Sequence, residues 1–575
     1  MFEPSGGHDR AGYHDRVNPD LLQRIPVTAR TVLEVGCGGG ALGAAFKAIN
    51  PDCNYIGIEQ EPEAARRARA HLDQVISGDV ESEGLILPDL PPLDALVYGD
   101  VLEHLRDPWA VLARQVPLLA DDGLLILCIP NAQHWSLLEH LLHGQWPLVG
   151  EGLFDRTHLR WFTRAGVERL VAGCGLRLLD LQPRVFQPEL AEAFVQRLEP
   201  ALPGLGLERQ TLLAGVAPLQ YVATASRKPR PLLQLDAMTL RPQVGMVEVR
   251  MAQPLRALAS RGAIGLRLRH DALDLLPADS TLPRLLIWQR PSLRGPGSLE
   301  QLRRLLHNGY VVVVEYDDDP DHWPANAESG HLTFRGVHAV QVSTDELATR
   351  IRPHNPEVVV FANALDALPP PRPPQTAGDR PLRLFFGALN RQADWAPWME
   401  TLNATLLEAP ACWQVEVVHD RAFHDALQLP ARQFTPTCDY ATYHQRMRGC
   451  DIAFLPLADT PFNRCKSDLK AVEAAGHGLA LLASPVVYGQ SVREGETGRL
   501  FRTPAELRQA LRDWQQNPAS VRAMGERGRQ WVASARLQHQ QTAAREAWYR
   551  SLWERRAELT AQLLERVPEL GGSGY

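Results

Sequence analysis

Paired cysteines are missing from this chain. Eight of them, Cys37, Cys53, Cys128, Cys174, Cys412, Cys438, Cys450 and Cys465, are scattered over 575 residues, and no two form a C-x-x-C pair. That argues against a zinc site and against a disulfide framework, and no metal is expected. Most lie in apolar runs, where a free thiol behaves as a small hydrophobe, so the simplest compartment is a reduced cytoplasm. Long apolar runs are missing too. No stretch suits a membrane span, and the opening MFEPSGGHDR is too polar for a signal peptide, although attachment to a membrane surface is left open. There is no block of like charge: 60 Lys and Arg stand against 67 Asp and Glu, for a net charge of -7, so nucleic acid is not an expected partner. Short tandem repeats are absent as well.

What is present is ordinary soluble composition, 45% hydrophobic and 22% charged, over a length that favours three or four domains. TVLEVGC, NYIGIEQ, DALVYGD and GLLILCIP read as buried strands separated by helices, the rhythm of a parallel sheet in an α/β domain. The basic, proline-bearing ASRKPRPLLQLD marks a boundary near residue 228. A second alternating region carries strands at PRLLIWQ, VVVVEYD, AVQVST and EVVVFAN and ends in the proline-rich ALPPPRPPQTAGDRP, a semi-rigid linker over 369–380. The third region restarts at LRLFFGAL, continues through WQVEVVHD, DIAFLPL and LALLASP, and closes with a long amphipathic helix, AREAWYRSLWERRAELTAQLLERV. The expected domains are therefore 1–228, 229–368 and 381–575. Two α/β units joined by a proline linker suggest a two-lobed cleft.

Chemistry concentrates at strand ends. VLEVGCGGGALG places Glu34, Gly36, Gly38 and Gly40 where a strand meets a helix, and alternate glycines let the backbone turn sharply and approach a ligand. Glu59 ends the second strand, Asp79 the third, and Asp100, Glu103 and His104 the fourth. With EVGCGGG and DVLEHLRDP, residues from about 10 to 180 resemble the class I S-adenosylmethionine-dependent methyltransferases that act on small molecules. The resemblance implies a Rossmann-like domain using S-adenosyl-L-methionine. Its glycine loop Gly36, Gly38 and Gly40 would cradle the methionine part, Glu59 the ribose and Asp79 the adenine, with Glu34 and Asp100 beside them. A DRTHLR stretch similar to the one in GLFDRTHLRWFT crosses the substrate opening in that family. Methyl transfer to a hydroxyl needs a base with a suitable pKa, which makes His158 the candidate and His104 the second choice. The alternative for His158 is a cap that orders the loop. Tyr13 and His14 are candidates to close over the cofactor, or simply part of an N-terminal helix.

In the third region, LADTPFNRCKSDLKAVEAAGHGLALLAS reads as a helix ending at glycine, then a strand. Lys466 and Ser467 at the helix start suit a diphosphate, and Glu473 two turns on suits a ribose. From LRLFFGALNRQADW to YGQSVREGETGRLF the chain resembles the C-terminal lobe of two-lobed, GT-B glycosyltransferases of the retaining group 1 type. The resemblance implies a nucleotide-sugar site at Lys466, Ser467 and Glu473, with Asn390 and Arg391 as further phosphate-side groups. Lys466 stands in place of the first glutamate of that family's glutamate pair. The middle region is similar to the acceptor lobe only loosely; its Asp317, Asp318 and Asp319 read equally as acceptor hydroxyl ligands or a solvated turn. Together these point to a bifunctional enzyme that methylates and glycosylates a glycan or glycosylated acceptor in surface polysaccharide or glycoprotein synthesis. The rivals are a methyltransferase with a non-catalytic glycan-presenting module, and a scaffold without turnover.

Overall fold

The computed structural model describes residues 16–85, 87, 89–241, 245–372 and 380–571. Tyr13, His14 and part of the proline-rich linker lie outside these. The chain divides into two compact units, Met1–Pro231 with Ala259–Ile264, and Leu232–Leu258 with Gly265–Tyr575.

The first unit is built on a seven-stranded sheet of β1 (Thr31–Val35), β2 (Asn54–Glu59), β3 (Gln74–Ser77), β4 (Leu93–Gly99), β5 (Leu119–Pro130), β6 (Arg177–Arg184) and β7 (Gln220–Ser226), in the order β3-β2-β1-β4-β5-β7-β6. β1 to β5 pair in parallel, and β7 runs antiparallel between β5 and β6. The central strands are apolar without alternation because both faces are covered: all five residues of TVLEV are buried. The strand order reverses between β1 and β4, which opens a crevice at their carboxyl ends. β1 runs into the glycine loop and then α1 (Ala41–Ile49), and β4 runs into Asp100.

The second unit has two six-stranded sheets. The first comprises β8 (Leu233–Met238), β9 (Ile264–Arg269), β10 (Arg284–Gln289), β11 (Val311–Tyr316), β12 (Ala339–Val342) and β13 (Val358–Val360), ordered β13-β12-β11-β10-β8-β9. The other comprises β14 (Leu382–Gly387), β15 (Trp413–Val418), β16 (Arg432–Thr435), β17 (Ile452–Leu455), β18 (Ala480–Ala483) and β19 (Gly498–Leu500), ordered β16-β15-β14-β17-β18-β19. Its pairings are all parallel, and α2 (Leu469–Gly476) connects β17 to β18. The expected long terminal helix is two, α3 (Gln538–Glu554) and α4 (Arg556–Arg566). They return to the first of the two sheets: Leu563, Val567 and Leu570 share a core with Leu286, Val312 and Val340, and the Tyr549 hydroxyl donates to Gln341 on β12 at 2.6 Å.

Strained backbone gathers at the sheet ends. Of six non-glycine residues with positive φ among those described, Asp100, Arg290 and His419 directly follow β4, β10 and β15, and Asn390 and Val487 lie in the loops after β14 and β18. Such conformations are costly and persist where the surroundings fix them, at the rims where parallel sheets bind ligands.

Candidate active sites

In the first unit the glycine loop turns through left-handed backbone, with φ of +73° at Gly36 and +84° at Gly40. A Cβ at Gly36 would stand 2.4 Å from Val101 Cγ2, so only glycine fits. Glu59 does not stand free at its strand end. Its Oε2 accepts from Gly38 N and its Oε1 from Glu61 N, both at 2.8 Å, so the carboxylate braces the loop and keeps lone pairs to spare. Glu34 is buried and accepts from the Tyr55 hydroxyl at 3.0 Å. Burial pushes its pKa up to about 8, opposed by the Tyr55 hydroxyl and reinforced by Glu59, so it is a neutral acid near pH 7. Asp79 is exposed and accepts from Glu81 N at 2.8 Å.

Beyond β4, Asp100 holds a φ of +54°, receives the Gln220 amide, and is pushed up to about pKa 6 by burial. Glu103 sits in the tight turn Leu102–His104. Its carbonyl accepts from Leu159 N (2.7 Å) and Arg160 N (2.9 Å), which ties down the DRTHLR loop. Its carboxyl is 1% exposed and neither oxygen has a hydrogen-bond partner. Burial, then the neighbouring Asp100, raises its pKa well above the carboxylate range. The loop brings His158 against His104, ring centroids 4.8 Å apart, while His104 Nδ1 lies 3.0 Å from the Thr157 hydroxyl. His158 Nδ1 is buried without a partner; burial, then His104, lowers the pKa of the ring and keeps it neutral. Asp100, Glu103, His158 and Gln220 line a cavity of about 140 Å³ with exposed Phe186 also on its wall. Trp161 packs on His158 at 5.7 Å and Trp146 on Trp161 at 4.9 Å.

No metal is expected from the sequence, yet ligand atoms of Glu103, His104 and His158 lie within 4.8 Å of one another, a set that suits a cation. The separation of His158 from the adjacent Glu103 and His104 hid this cluster, which is assembled by the loop's contacts to the Glu103 carbonyl and to His104.

The second unit contains a cleft of about 450 Å³. Arg391, Lys466, Ser467, Lys470 and Glu473 line it, together with His419 and Tyr440. Glu473 on α2 is 3% exposed and accepts from the Tyr440 hydroxyl at 2.8 Å. Burial pushes its pKa up to about 7 against the opposing Lys470 and Tyr440. Sequence reasoning missed Lys470, whose ammonium donates to the Gly387 carbonyl; its i, i+3 spacing from Glu473 was the available signal. Arg391 donates to Asn463 Oδ1 at 2.8 Å. Asn390 is exposed at a φ of +57° and is not part of the cleft wall, so its side chain does not join the others. Ser467 Oγ accepts from Asn363 at 2.7 Å.

Lys466 precedes α2 by three residues and is committed elsewhere. Its Nζ donates to Asp318 Oδ1 at 2.6 Å and lies 4.1 Å from the Phe462 ring centroid. The aspartate run is thus neither a solvated turn nor a free hydroxyl-binding cluster: Asp317 pairs with Arg290, Asp318 with Lys466, and Asp319 with Arg350 at 3.2 Å.

Comparison with known proteins agrees with this division. Residues 33–125 match a family described as a methyltransferase domain, and residues 391–545 one described as glycosyl transferase-like. Over 115 residues the chain is 33% identical to a ubiquinone biosynthesis O-methyltransferase of Xylella fastidiosa, covering 19% of this chain and 46% of that one. It is 26% identical over 176 residues to the corresponding protein of Cereibacter sphaeroides, covering 29% and 69%. The chain thus spans about half the length of the first of these relatives. Among solved structures, a sucrose-phosphate synthase from Thermosynechococcus elongatus superposes with a TM-score of 0.41 at 18% identity, covering 56% of this chain and 99% of that one. The first unit therefore carries a methyltransferase domain, and the C-terminal part of the second carries a glycosyl transferase-like one.

Proposed function

We propose that the first unit transfers the methyl group of S-adenosylmethionine to a sugar or glycan hydroxyl, and that the second transfers a sugar from a nucleotide-sugar donor in building the same glycan. The observation that carries the first half is the cavity that neutral His158 lines together with the buried acids Asp100 and Glu103. The glycine loop fits the cofactor: glycine is obligatory at Gly36, and Glu59 fixes Gly38 while keeping lone pairs for a ribose. When bound, S-adenosylmethionine supplies an electrophilic methyl carbon on a sulfonium sulfur. His158 takes the acceptor hydroxyl proton, freeing an oxygen lone pair to form the new O–C bond as the C–S bond breaks. The aromatic residue at the rim, Phe186, suits the C–H face of a sugar ring. For the second half, the support is a cleft that sets Arg391 and Lys470 near buried Glu473, cations for a diphosphate and an acceptor for ribose hydroxyls, with Lys466 on the same wall in competition between a diphosphate and Asp318.

One observation favours a second reading of the methyl site. Glu103 has two orphaned oxygens facing two histidines, so a divalent cation bound there would lower the acceptor hydroxyl's pKa in place of a base. Radiolabelled methyl transfer to a panel of glycans, with chelator or with added zinc or iron(II), separates the two. His158→Ala should lower turnover roughly a hundredfold while S-adenosylmethionine binding persists. Turnover that survives chelation favours the base, and turnover lost on chelation and restored by zinc or iron(II) favours the cation. Equal rates for wild type and His158→Ala return His158 to a loop-ordering role.

A further inference from the structure

His419 carries two costs at once. It directly follows β15 at a φ of +74°, a left-handed conformation that a β-carbon disfavours and glycine adopts freely. Its Nδ1 is also buried without a hydrogen-bond partner. Buried polar atoms are nearly always satisfied, and one that is not calls for an explanation in a ligand or a strained function.

The ring's surroundings say where that ligand is. His419 lines the same cleft as Gly387, Lys470 and Glu473. Its imidazole lies parallel to Tyr443, the planes 3° apart and the centroids separated by 5.6 Å, so its orientation is fixed. Burial, then the nearby Lys470 ammonium, keeps it neutral, with one ring nitrogen a donor and the other an acceptor. An uncharged ring on one cleft wall with a half-buried lysine and a buried glutamate is suited to a ligand carrying both anionic and hydroxyl groups.

We infer that His419 Nδ1 hydrogen-bonds the nucleoside diphosphate part of the sugar donor, making His419 a binding determinant of the second unit's cleft. The inference rests on the nucleotide-sugar reading of that cleft. It accounts for both costs together: the left-handed residue forms part of the cleft wall, and the donor supplies the missing partner.

The test uses the full-length protein and calorimetric titration with uridine, guanosine and adenosine diphosphates. His419→Gly removes the ring and relieves the backbone, so the melting temperature should stay within about 3 °C of wild type. Affinity for the nucleotide that wild type binds should fall about tenfold, the loss of one hydrogen bond at a desolvated site. His419→Asn tolerates the left-handed backbone and places an amide atom at the same bond distance as Nδ1, so it should recover most of that affinity. Unchanged affinity in His419→Gly overturns the inference while leaving the nucleotide-sugar reading intact. So does His419→Asn binding as weakly as His419→Gly, since ring packing rather than hydrogen bonding would then be at work. If His419→Gly does not fold, His419→Phe, which keeps a ring against Tyr443 and lacks Nδ1, decides: a loss of about tenfold supports the inference and unchanged affinity overturns it. Wild type that binds none of the three overturns the sugar-transfer reading, and this inference with it.

Discussion

Glu34 is the next-to-last residue of β1, and its carboxyl holds a proton to about pH 8 where an ordinary glutamate loses it near 4.5. The sign of the consequence follows from proton binding. Between those two values the folded chain keeps a proton that the unfolded chain releases. The stability Glu34 contributes is therefore complete below about pH 4.5 and is lost as pH rises through about 8. Glu34→Gln keeps an acceptor for the Tyr55 hydroxyl and removes the titration. By calorimetry the variant should melt with wild type near pH 5 and several degrees higher near pH 8, since a shift of this size corresponds to a few kcal/mol. A constant difference across that range would show that burial does not hold the proton. The sequence marks Glu34 by its place before the glycine loop, but its neutral state comes from burial in the folded sheet, against the opposing hydrogen bond from Tyr55 on β2. The same holds for Glu103, Lys470 and His419, whose roles arise from neighbours distant in sequence. By contrast the positions of Glu59, Asp100 and Glu473 follow from patterns the sequence displays, two strand ends and one helix face, whereas His158 reaches its cavity on the loop that the Glu103 carbonyl holds.

At the scale of elements, the central strands of all three sheets are apolar runs bounded by turn residues, the mark of a parallel sheet covered on both faces, whereas edge strands such as Arg177–Arg184 and Arg432–Thr435 are polar and carry no such mark. The terminal helices are harder to place. α3 buries Gln538, His539, Thr542, Arg545 and Glu546, so its polar face is not its solvent face, and periodicity alone cannot say which sheet it joins. α4 supplies the apolar anchor: Leu563 is 1% exposed in the core built on β10, β11 and β12. Leu563→Ala should destabilise the second unit by about 2 to 5 kcal/mol, the range for a leucine emptied from a packed core. Two unfolding transitions followed by calorimetry should separate, with the one shifted by S-adenosylmethionine unmoved. A loss below about 1 kcal/mol would mean that α4 is not part of that core.

The whole molecule sets two candidate transfer sites on two compact units, so each site should be removable without the other. Glu59→Ala leaves Gly38 N and Glu61 N without their acceptor, and methyl transfer should be lost through weakened cofactor binding while labelled sugar transfer continues. In the second unit Lys466 provides a sharper case, because the structure gives it a partner that the sequence did not. Asp318 sits 2.6 Å from its ammonium, and although burial works to raise the aspartate's pKa, Lys466 and Arg290 outweigh it and keep the carboxylate charged. If the lysine serves a diphosphate, Asp318 is its competitor. Lys466→Ala should then weaken nucleoside diphosphate binding by about 1.5 to 3 kcal/mol, the cost of a charge-assisted hydrogen bond. Asp318→Asn removes the competing charge and should tighten the same binding. If Lys466 is only half of a structural ion pair, both variants lose stability and neither changes nucleotide affinity in opposite directions. Titrating both with the nucleotide that wild type binds, alongside their melting temperatures, therefore distinguishes a ligand from a brace. Methyl transfer to a supplied glycan should be the same in both variants as in wild type, and its loss in either would contradict the independence of the two sites.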